Sequence, residues 1–225
     1  MVAVIVLVNI KPGNRLWGFM RFVLGRFPLR HITGLKFSKI LGSGKNGGFG
    51  LAPSATRQGL FCVFDQLAQA EAFLNASQVI ADYRSHADEF FCAILSAFSV
   101  KGTWSGQSLD IGTSEPRSGP IAALTRASIR PSKAVQFWRN SPPAEESLGH
   151  ATGCLLAVGL GEAPIFRQAT FSIWESVDHM NRYARTGAHM DAIRASLAGQ
   201  HFSESMFVRF APLRAEGHWK GRVFA

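Results

Sequence analysis

One histidine near the end of the chain has the chemistry of a metal ligand. His189 lies in GAHMDAIR (187–194), a segment typical of a helix. A neutral imidazole can bind a metal ion through one ring nitrogen while its other ring N–H donates to a nearby acceptor. A single histidine on a helix is more often a solvated or core-edge residue, so a functional interpretation needs support from the rest of the sequence.

The composition predicts a folded chain with a large core, since 47% of its 225 residues are hydrophobic and only 17% are charged. Eighteen Phe and five Trp indicate large apolar surfaces, and we expect them to line a long apolar tunnel. No apolar run has the length of a membrane-spanning helix, and the apolar start at 2–10 is too short for a signal peptide. The three cysteines form no CxxC motif, so the sequence predicts neither a structural zinc site nor covalent haem, and a reducing cytoplasm is expected.

The net charge of +9 belongs to the first quarter of the chain, because residues 1–60 contain nine basic and no acidic side chains. The run RLWGFMRFVLGRF (15–27) mixes aromatic and basic residues on a predicted helix. Such a helix suits an anionic membrane surface, and we expect peripheral contact through residues 11–30. The alternative is a partly buried helix whose arginines extend to solvent. Nucleic-acid binding ranks last because the aromatic residues form no recognisable nucleic-acid recognition motif.

The chain contains an internal repeat. An offset of 119 residues aligns the first strand, the first helix and the following Thr-Gly turn of the two halves, and an offset of 110 aligns the next segments. A final offset of 115 aligns GTWSG (102–106) with GHWKG (217–221). So many matches in the same order indicate a duplication.

Each half has the pattern strand, helix, strand, strand, helix, strand, which is the ferredoxin-like βαββαβ unit. The predicted strands are 2–10, 34–42, 60–65 and 90–100 in the first half and 121–129, 153–161, 168–174 and 206–213 in the second. The predicted helices are 12–27, 66–90, 131–146 and 176–200. We predict an α+β fold in which two tandem repeats (1–106 and 119–225, joined by a linker at 107–118) close one dimeric-α+β-barrel-like domain without exposed sheet edges.

The duplication strengthens the case for a site at His189, which aligns with Val79 in the first half. An imidazole present in only one of two duplicated units indicates a site built in that unit. By contrast, His31 and His150 align with each other and are interpreted as turn residues. No role is predicted for the remaining histidines, which lie on helical stretches, at a helix end or in the tail: His86, His179, His201 and His218.

Several runs resemble the spheroidene monooxygenase family of bacterial carotenoid ketolases. They are GPIAALTRASIRPSKAVQFWR (119–139), GEAPIFRQATFSIW (161–174), GAHMDAIR and SESMFVRF (203–210), with GLKFSKILGSG (34–44) and GFGLAP (48–53) in the first half. The resemblance covers most of the chain. It implies a haem-containing monooxygenase that introduces a keto group at C-2 of an acyclic carotenoid by successive hydroxylation, with O₂ as co-substrate and reduced ferredoxin as electron donor.

The resemblance also implies candidate site residues. Barrels of this type, such as chlorite dismutases, hold haem through a histidine on a helix, which points to His189 as the axial ligand of a haem b iron. Arg167 and Arg194 are candidate partners of the haem propionates, although both align with arginines in the first half, which favours a structural role. Cys154, in an apolar strand, is the alternative iron ligand.

Two other functions stay open from the sequence alone. One is a cofactor-free monooxygenase with a ferredoxin-like fold, and the other is a barrel that binds a lipid or pigment without chemistry. The expected location is the cytoplasm, peripheral at the inner membrane. Duplication allows one chain to close a barrel and is compatible with a homo-oligomer.

Overall fold

The computed structural model describes residues 1–225 except 49, 51, 150 and 164, and describes no side chains at 140–146, 149, 188, 189, 192, 193 and 197. The strands are β1 Val2–Ile10, β2 Leu35–Gly44, β3 Pro53–Phe64, β4 Ala87–Gly102, β5 Ile121–Ile129, β6 Cys154–Ala163, β7 Arg167–Trp174, β8 Phe202–Trp219 and β9 Arg222–Phe224. The helices are α1 Arg15–Leu24, α2 Arg26–Leu29, α3 Leu67–Ala76, α4 Gln78–His86, α5 Ala134–Gly149, α6 Val177–Arg185 and α7 Gly187–Ala198.

Eight of these strands form a closed antiparallel barrel in the order β4-β1-β3-β2-β6-β7-β5-β8, and β8 pairs with β4 to close it. The two seams between the halves differ in length. The β4–β8 seam runs from Phe91↔Gly217 to Gly102↔Met206, whereas the β2–β6 seam consists of Gly42↔Gly161 and Ser43↔Leu160. The same element order occurs in both halves, which confirms the predicted ferredoxin-like repeats and the α+β barrel.

The predicted helix at 66–90 is two helices followed by a strand. Ser77 has an extended backbone (φ −78°, ψ 140°), and its hydroxyl accepts a hydrogen bond from the Ile80 N–H, so it ends α3 and caps α4. The predicted helix at 176–200 is likewise divided at Thr186, which has φ −133° and ψ 161°. Helical periodicity continues across both breaks, and the local capping chemistry decides where each helix stops.

The aromatic residues fill the barrel. Strand alternation directs one set of side chains inward, and the large fully or almost fully buried members of this set are Phe61, Phe91, Phe171, Phe210, Trp104 and Trp219. A cavity beside Trp104, lined also by Phe37 and Met206, has a volume of about 60 Å³, which suits a few water molecules. The expectation that these aromatics line a long tunnel is therefore wrong for the barrel interior, because they pack against each other.

Two tryptophan hairpins close the ends of the barrel in equivalent ways. Trp104 and Trp219 occupy aligned positions and are 1% and 2% exposed. Behind Trp104 the Gly106 N–H donates to Glu204 Oε1 at 2.8 Å, and behind Trp219 the Gly221 N–H donates to Glu89 Oε1 at 3.3 Å. The aligned GTWSG and GHWKG segments thus have the same structural role, in which a buried tryptophan precedes a glycine N–H that donates to a glutamate.

Candidate functional site

The outer face of the barrel differs between the two halves. In the first half, β2, β3, β1 and β4 present two rows across the sheet: Ile40–Leu60–Val6–Cys92 and Ser38–Cys62–Val4–Ile94. The aligned rows in the second half are Gly159–Thr170–Thr125–Phe207 and Ala157–Ser172–Ala123–Arg209. We call these eight residues the second-half face. Small side chains replace most of the large apolar ones of the first half.

The row that contains Thr170, Thr125 and Phe207 is also more accessible than its counterpart in the first half. Leu60, Val6 and Cys92 are at most 2% exposed and pack under α3 and α4. Thr170 and Thr125 are only partly buried, and Phe207 is 38% exposed. A phenylalanine with this exposure, on a sheet face that carries helices, indicates space for a ligand between the sheet and its covering layer.

The helices over the two faces pack differently. In the first half α4 contacts β1 and β4, and its Ile80 and Tyr83 belong to the same buried cluster as Val6. In the second half the principal neighbours of α7 are α5 and α6. Since α5 and α6 keep contacts with β6 and β7, α7 is the helix of this layer that can stand off from the sheet, as a planar group inserted between them would require.

The predicted iron ligand belongs to this layer. The range of α7 includes position 189, but the side chain of His189 lies outside the described residues, so its role stays a prediction. Its repeat counterpart, Val79, is 8% exposed and packs in the cluster between helices and sheet. The alignment therefore assigns His189 to a position that faces the sheet in the first half.

The two predicted propionate partners are exposed. Arg167 begins β7 and Arg194 lies on α7, and within the described residues neither has an ion-pair partner. Their first-half counterparts do: Arg57 lies 3.6 Å from Glu89, and Arg84 lies 3.3 Å from Glu216. The structural role inferred from the repeat therefore applies to the first-half arginines, and cofactor binding by Arg167 and Arg194 stays a prediction.

Cys154, the alternative ligand, is a thiol in a poor setting for binding iron. It is partly buried, packs with the cluster that contains Trp174, and directs its Sγ to the Leu156 carbonyl at 3.5 Å. Burial raises its pKa to about 11, so the thiolate that a metal requires is scarce at neutral pH. Nor do the described residues contain any group of three or more His, Cys, Asp or Glu side chains placed to hold a metal ion.

His201, for which the sequence predicted no role, is fully buried at the start of β8. In the part of the chain that the structure describes, neither ring nitrogen has a hydrogen-bond partner, and burial lowers the pKa of the imidazole. Its repeat counterpart, His86, stacks on Trp17 at 4.1 Å and directs Nδ1 to the Asp82 carbonyl at 2.8 Å. The offset of 115 residues aligns His86 with His201, and this alignment was the signal that could have identified a partnered and an unpartnered histidine at equivalent positions.

A second feature that the sequence did not reveal is a charged cluster inside the barrel. Arg126, 3% exposed, contacts Glu204 and lies 3.3 Å from Glu162, which also accepts from Trp104 Nε1 at 2.7 Å. Burial alone would raise the pKa of Glu204, but donors from Gly106, Arg126 and neighbouring residues lower that pKa to about 2. We interpret the cluster as structural, because the carboxylates of Glu162 and Glu204 are paired with the guanidinium of Arg126.

The predicted membrane helix is half packed and half exposed. Trp17 packs edge-on against Tyr83, while the large apolar side chains exposed by at least 43% are Leu16, Phe19, Met20, Val23, Leu24 and Phe27. We call these six residues the α1–α2 surface. The guanidinium groups of Arg26 and Arg30 lie 5.1 and 4.8 Å from the Phe27 ring. None of the described helices combines the length and the hydrophobicity needed to cross a bilayer.

Comparison with known proteins identifies relatives along the whole chain, although no family model matches it. Spheroidene monooxygenase of Rubrivivax gelatinosus is 55% identical over 99% of this chain and 86% of its own length. Spheroidene monooxygenase of Rhodobacter capsulatus is 37% identical over 92% of this chain and 87% of its own length. Among solved structures, an aldoxime dehydratase superposes with a TM-score of 0.61 at 10% identity, covering 94% of this chain and 80% of that one, which shows a shared fold.

Proposed function

Because the chain belongs to the spheroidene monooxygenase family, we propose that it is a haem-dependent enzyme that introduces a keto group at C-2 of an acyclic carotenoid. The family supports an oxidoreductase of the monooxygenase class. The proposal adds haem b, O₂ as co-substrate, reduced ferredoxin as electron donor and the position of oxidation. The observation that carries it is the second-half face.

The residues of the second-half face fit a flat, largely apolar group with carboxylates. Gly159 and Thr170 are cross-strand neighbours, as Ile40 and Leu60 are in the first half, so the side-chain volume that is missing at these two positions is contiguous. Haem has the shape to occupy such a layer, and when bound it supplies the iron chemistry that activates O₂. The fit rests on side-chain size and accessibility, and on an imidazole position that the repeat alignment assigns to the same layer.

The chain's own residues then have separate tasks. His189 would hold the iron, and its second ring nitrogen would need an acceptor to fix the tautomer. Arg167 and Arg194 would bind the propionates, since a guanidinium matches carboxylate geometry. Phe207, which is exposed at the end of its row, would contact the polyene and exclude water.

The reaction proposed for the carotenoid consists of two hydroxylations at one carbon. Each inserts one oxygen atom of O₂ into a C–H bond and reduces the other to water, with two electrons from reduced ferredoxin and two protons. The resulting geminal diol loses water to give the ketone. Positioning of the polyene terminus is the protein's contribution, because it decides which carbon reacts.

Substrate would reach the enzyme from the bilayer in which carotenoids dissolve. The α1–α2 surface exposes apolar side chains, and the exposed Arg15, Arg26 and Arg30 border it. No acidic residue precedes Asp65 in the chain. We infer that this surface inserts at an anionic membrane, where apolar burial and attraction to lipid headgroups act together.

The direct test of this function is turnover of an acyclic carotenoid by the purified full-length chain under ¹⁸O₂, with reduced ferredoxin and with or without haem. The proposal predicts a ketone that carries ¹⁸O in protein supplied with haem and no product without it. Ketone formation at the same rate without haem would support the cofactor-free alternative. Retention of the carotenoid without any product in either arm would leave only a pigment-binding barrel.

A further inference from the structure

Arg209 lies on the second-half face and has no partner among the described residues. Val208 and Phe210 point into the barrel core, so the alternation of β8 directs Arg209 outward beneath the helices. In the sheet it lies between Ser99 of β4 and Ala123 of β5. The side chain is partly buried, and within the described residues it makes no ion pair or hydrogen bond.

Other partly or fully buried arginines of the protein are paired. Arg126 contacts Glu162 and Glu204, and further pairs join arginine to aspartate or glutamate elsewhere in the fold: Arg21–Asp82, Arg57–Glu89 and Arg214–Glu216. Removing a guanidinium from water without a compensating partner costs free energy. An unpaired arginine on a helix-covered face is therefore expected where an external ligand supplies the anion.

The first half shows that the fold does not need a cation at this position. The aligned residue is Ile94, which is 1% exposed and packs with Val4 and Cys62 in the cluster under the helices. In the second half Ile94, Val4 and Cys62 become Arg209, Ala123 and Ser172, so the charge appears together with the smaller neighbours. The substitution replaces an apolar contact with a charged group beside smaller neighbours.

We propose that Arg209 binds a propionate carboxylate of the porphyrin on the second-half face. The inference rests on the proposed function for the identity of the ligand, because a carotenoid hydrocarbon offers no anion. The rows that contain Arg209 and Phe207 are adjacent in the sheet, so a planar group lying on Thr125 and Ala123 has the guanidinium at its margin. Arg209 thus adds a sheet-borne cation to the predicted helix-side partners.

The experiment measures binding of iron-free protoporphyrin IX by fluorescence, in the full chain and in Arg209→Met, with the porphyrin dimethyl ester as second ligand. We expect the free acid to bind about tenfold more weakly to Arg209→Met, as the loss of one charge-assisted hydrogen-bonding partner predicts. The ester should bind both proteins equally, because it has no carboxylate. Arg209→Lys should recover part of the affinity.

Two controls keep the outcomes distinct. Arg117→Met removes an exposed cation of the segment between the halves and should leave binding of both ligands unchanged. Arg209→Ile restores the first-half residue and should fold as the wild type does in thermal unfolding while losing the same affinity. Equal affinity of wild type and Arg209→Met for the free acid would overturn the assignment of Arg209 alone. Absence of porphyrin binding by the wild type would overturn the haem proposal together with it.

Discussion

Refilling the second-half face with side chains of the first half should weaken cofactor binding at least tenfold without unfolding the protein. The double substitution Ala123→Val and Thr170→Leu restores the first-half residues Val4 and Leu60 at the aligned positions. Each added methylene that becomes buried contributes roughly 0.8 kcal/mol. Because the wild-type side chains are only partly buried, we expect the free energy of unfolding to stay equal or to rise by about 1–2 kcal/mol.

The matched control is the reverse change in the first half. Leu60 is 2% exposed and lies under α3 and α4, so Leu60→Thr should lower the free energy of unfolding by about 2–4 kcal/mol through the cavity and the buried hydroxyl. Its effect on haem binding should be small. Comparison of the two variants separates a loss of haem binding caused by the filled face from a loss caused by poor folding.

Urea unfolding followed by circular dichroism gives the stability of each variant, and titration with haem followed by absorbance gives its affinity. The account predicts a refilled protein that unfolds like the wild type and binds haem at least tenfold more weakly, because the added side chains occupy the ligand's volume. If the refilled protein loses several kcal/mol, the face is already close-packed. If it binds haem as the wild type does, the site lies elsewhere.

Three further outcomes follow from individual residues. Glu204 has a pKa of about 2 against an ordinary 4.5, so its ionised carboxylate stabilises the fold above pH 4.5. This contribution, on the order of 2 kcal/mol, should be lost as the pH falls from 4.5 to 2. Acid unfolding curves should show the loss in the wild type and not in Glu204→Gln. His201 has a lowered pKa in the folded protein, so as the pH falls the unfolded chain is protonated at this residue before the folded chain is. The free energy of unfolding should therefore decrease below about pH 6.5. Melting temperatures measured at pH 7.5 and 5.5 should show this decrease in the wild type and not in His201→Phe. Phe19→Asp combined with Val23→Asp should reduce sedimentation with vesicles of phosphatidylcholine and phosphatidylglycerol several-fold. The control is Leu213→Asp, a similarly exposed position on β8, which should sediment as the wild type does. An equal loss of sedimentation in the double variant and in the control would contradict a dedicated membrane-binding surface.

The architecture was predictable because duplication leaves its record in the sequence. Aligned prolines, Thr-Gly turns and tryptophan segments in the same order identify two equivalent units, and their element order determines the barrel. Helix ends were less predictable, since a single capping hydroxyl at Ser77 divides a continuous helical pattern. Strand β8 begins at Phe202 and not at 206, because pairing with β5 extends it through polar residues that carry no hydrophobic signal.

The site was less predictable because its evidence is distributed across strands. Thr125, Thr170 and Gly159 are unremarkable in sequence and become a contiguous face only when β5, β7 and β6 lie side by side. Arg209 sits in MFVRFAPL, where one arginine in an apolar strand gives no indication of which side it faces. The many aromatic residues indicated large apolar surfaces. Only the strand register of the folded protein shows that large aromatic side chains fill the barrel interior.

The central claim is that the second-half helix layer supplies an imidazole to haem iron over the second-half face. It is tested most directly by the absorption spectrum of the haem-reconstituted protein beside that of His189→Val, which installs the first-half residue. The account predicts a sharp Soret band whose position and spin-state bands change in His189→Val, with recovery when imidazole is added. Identical spectra for the two proteins, or no Soret band in the wild type, would contradict it.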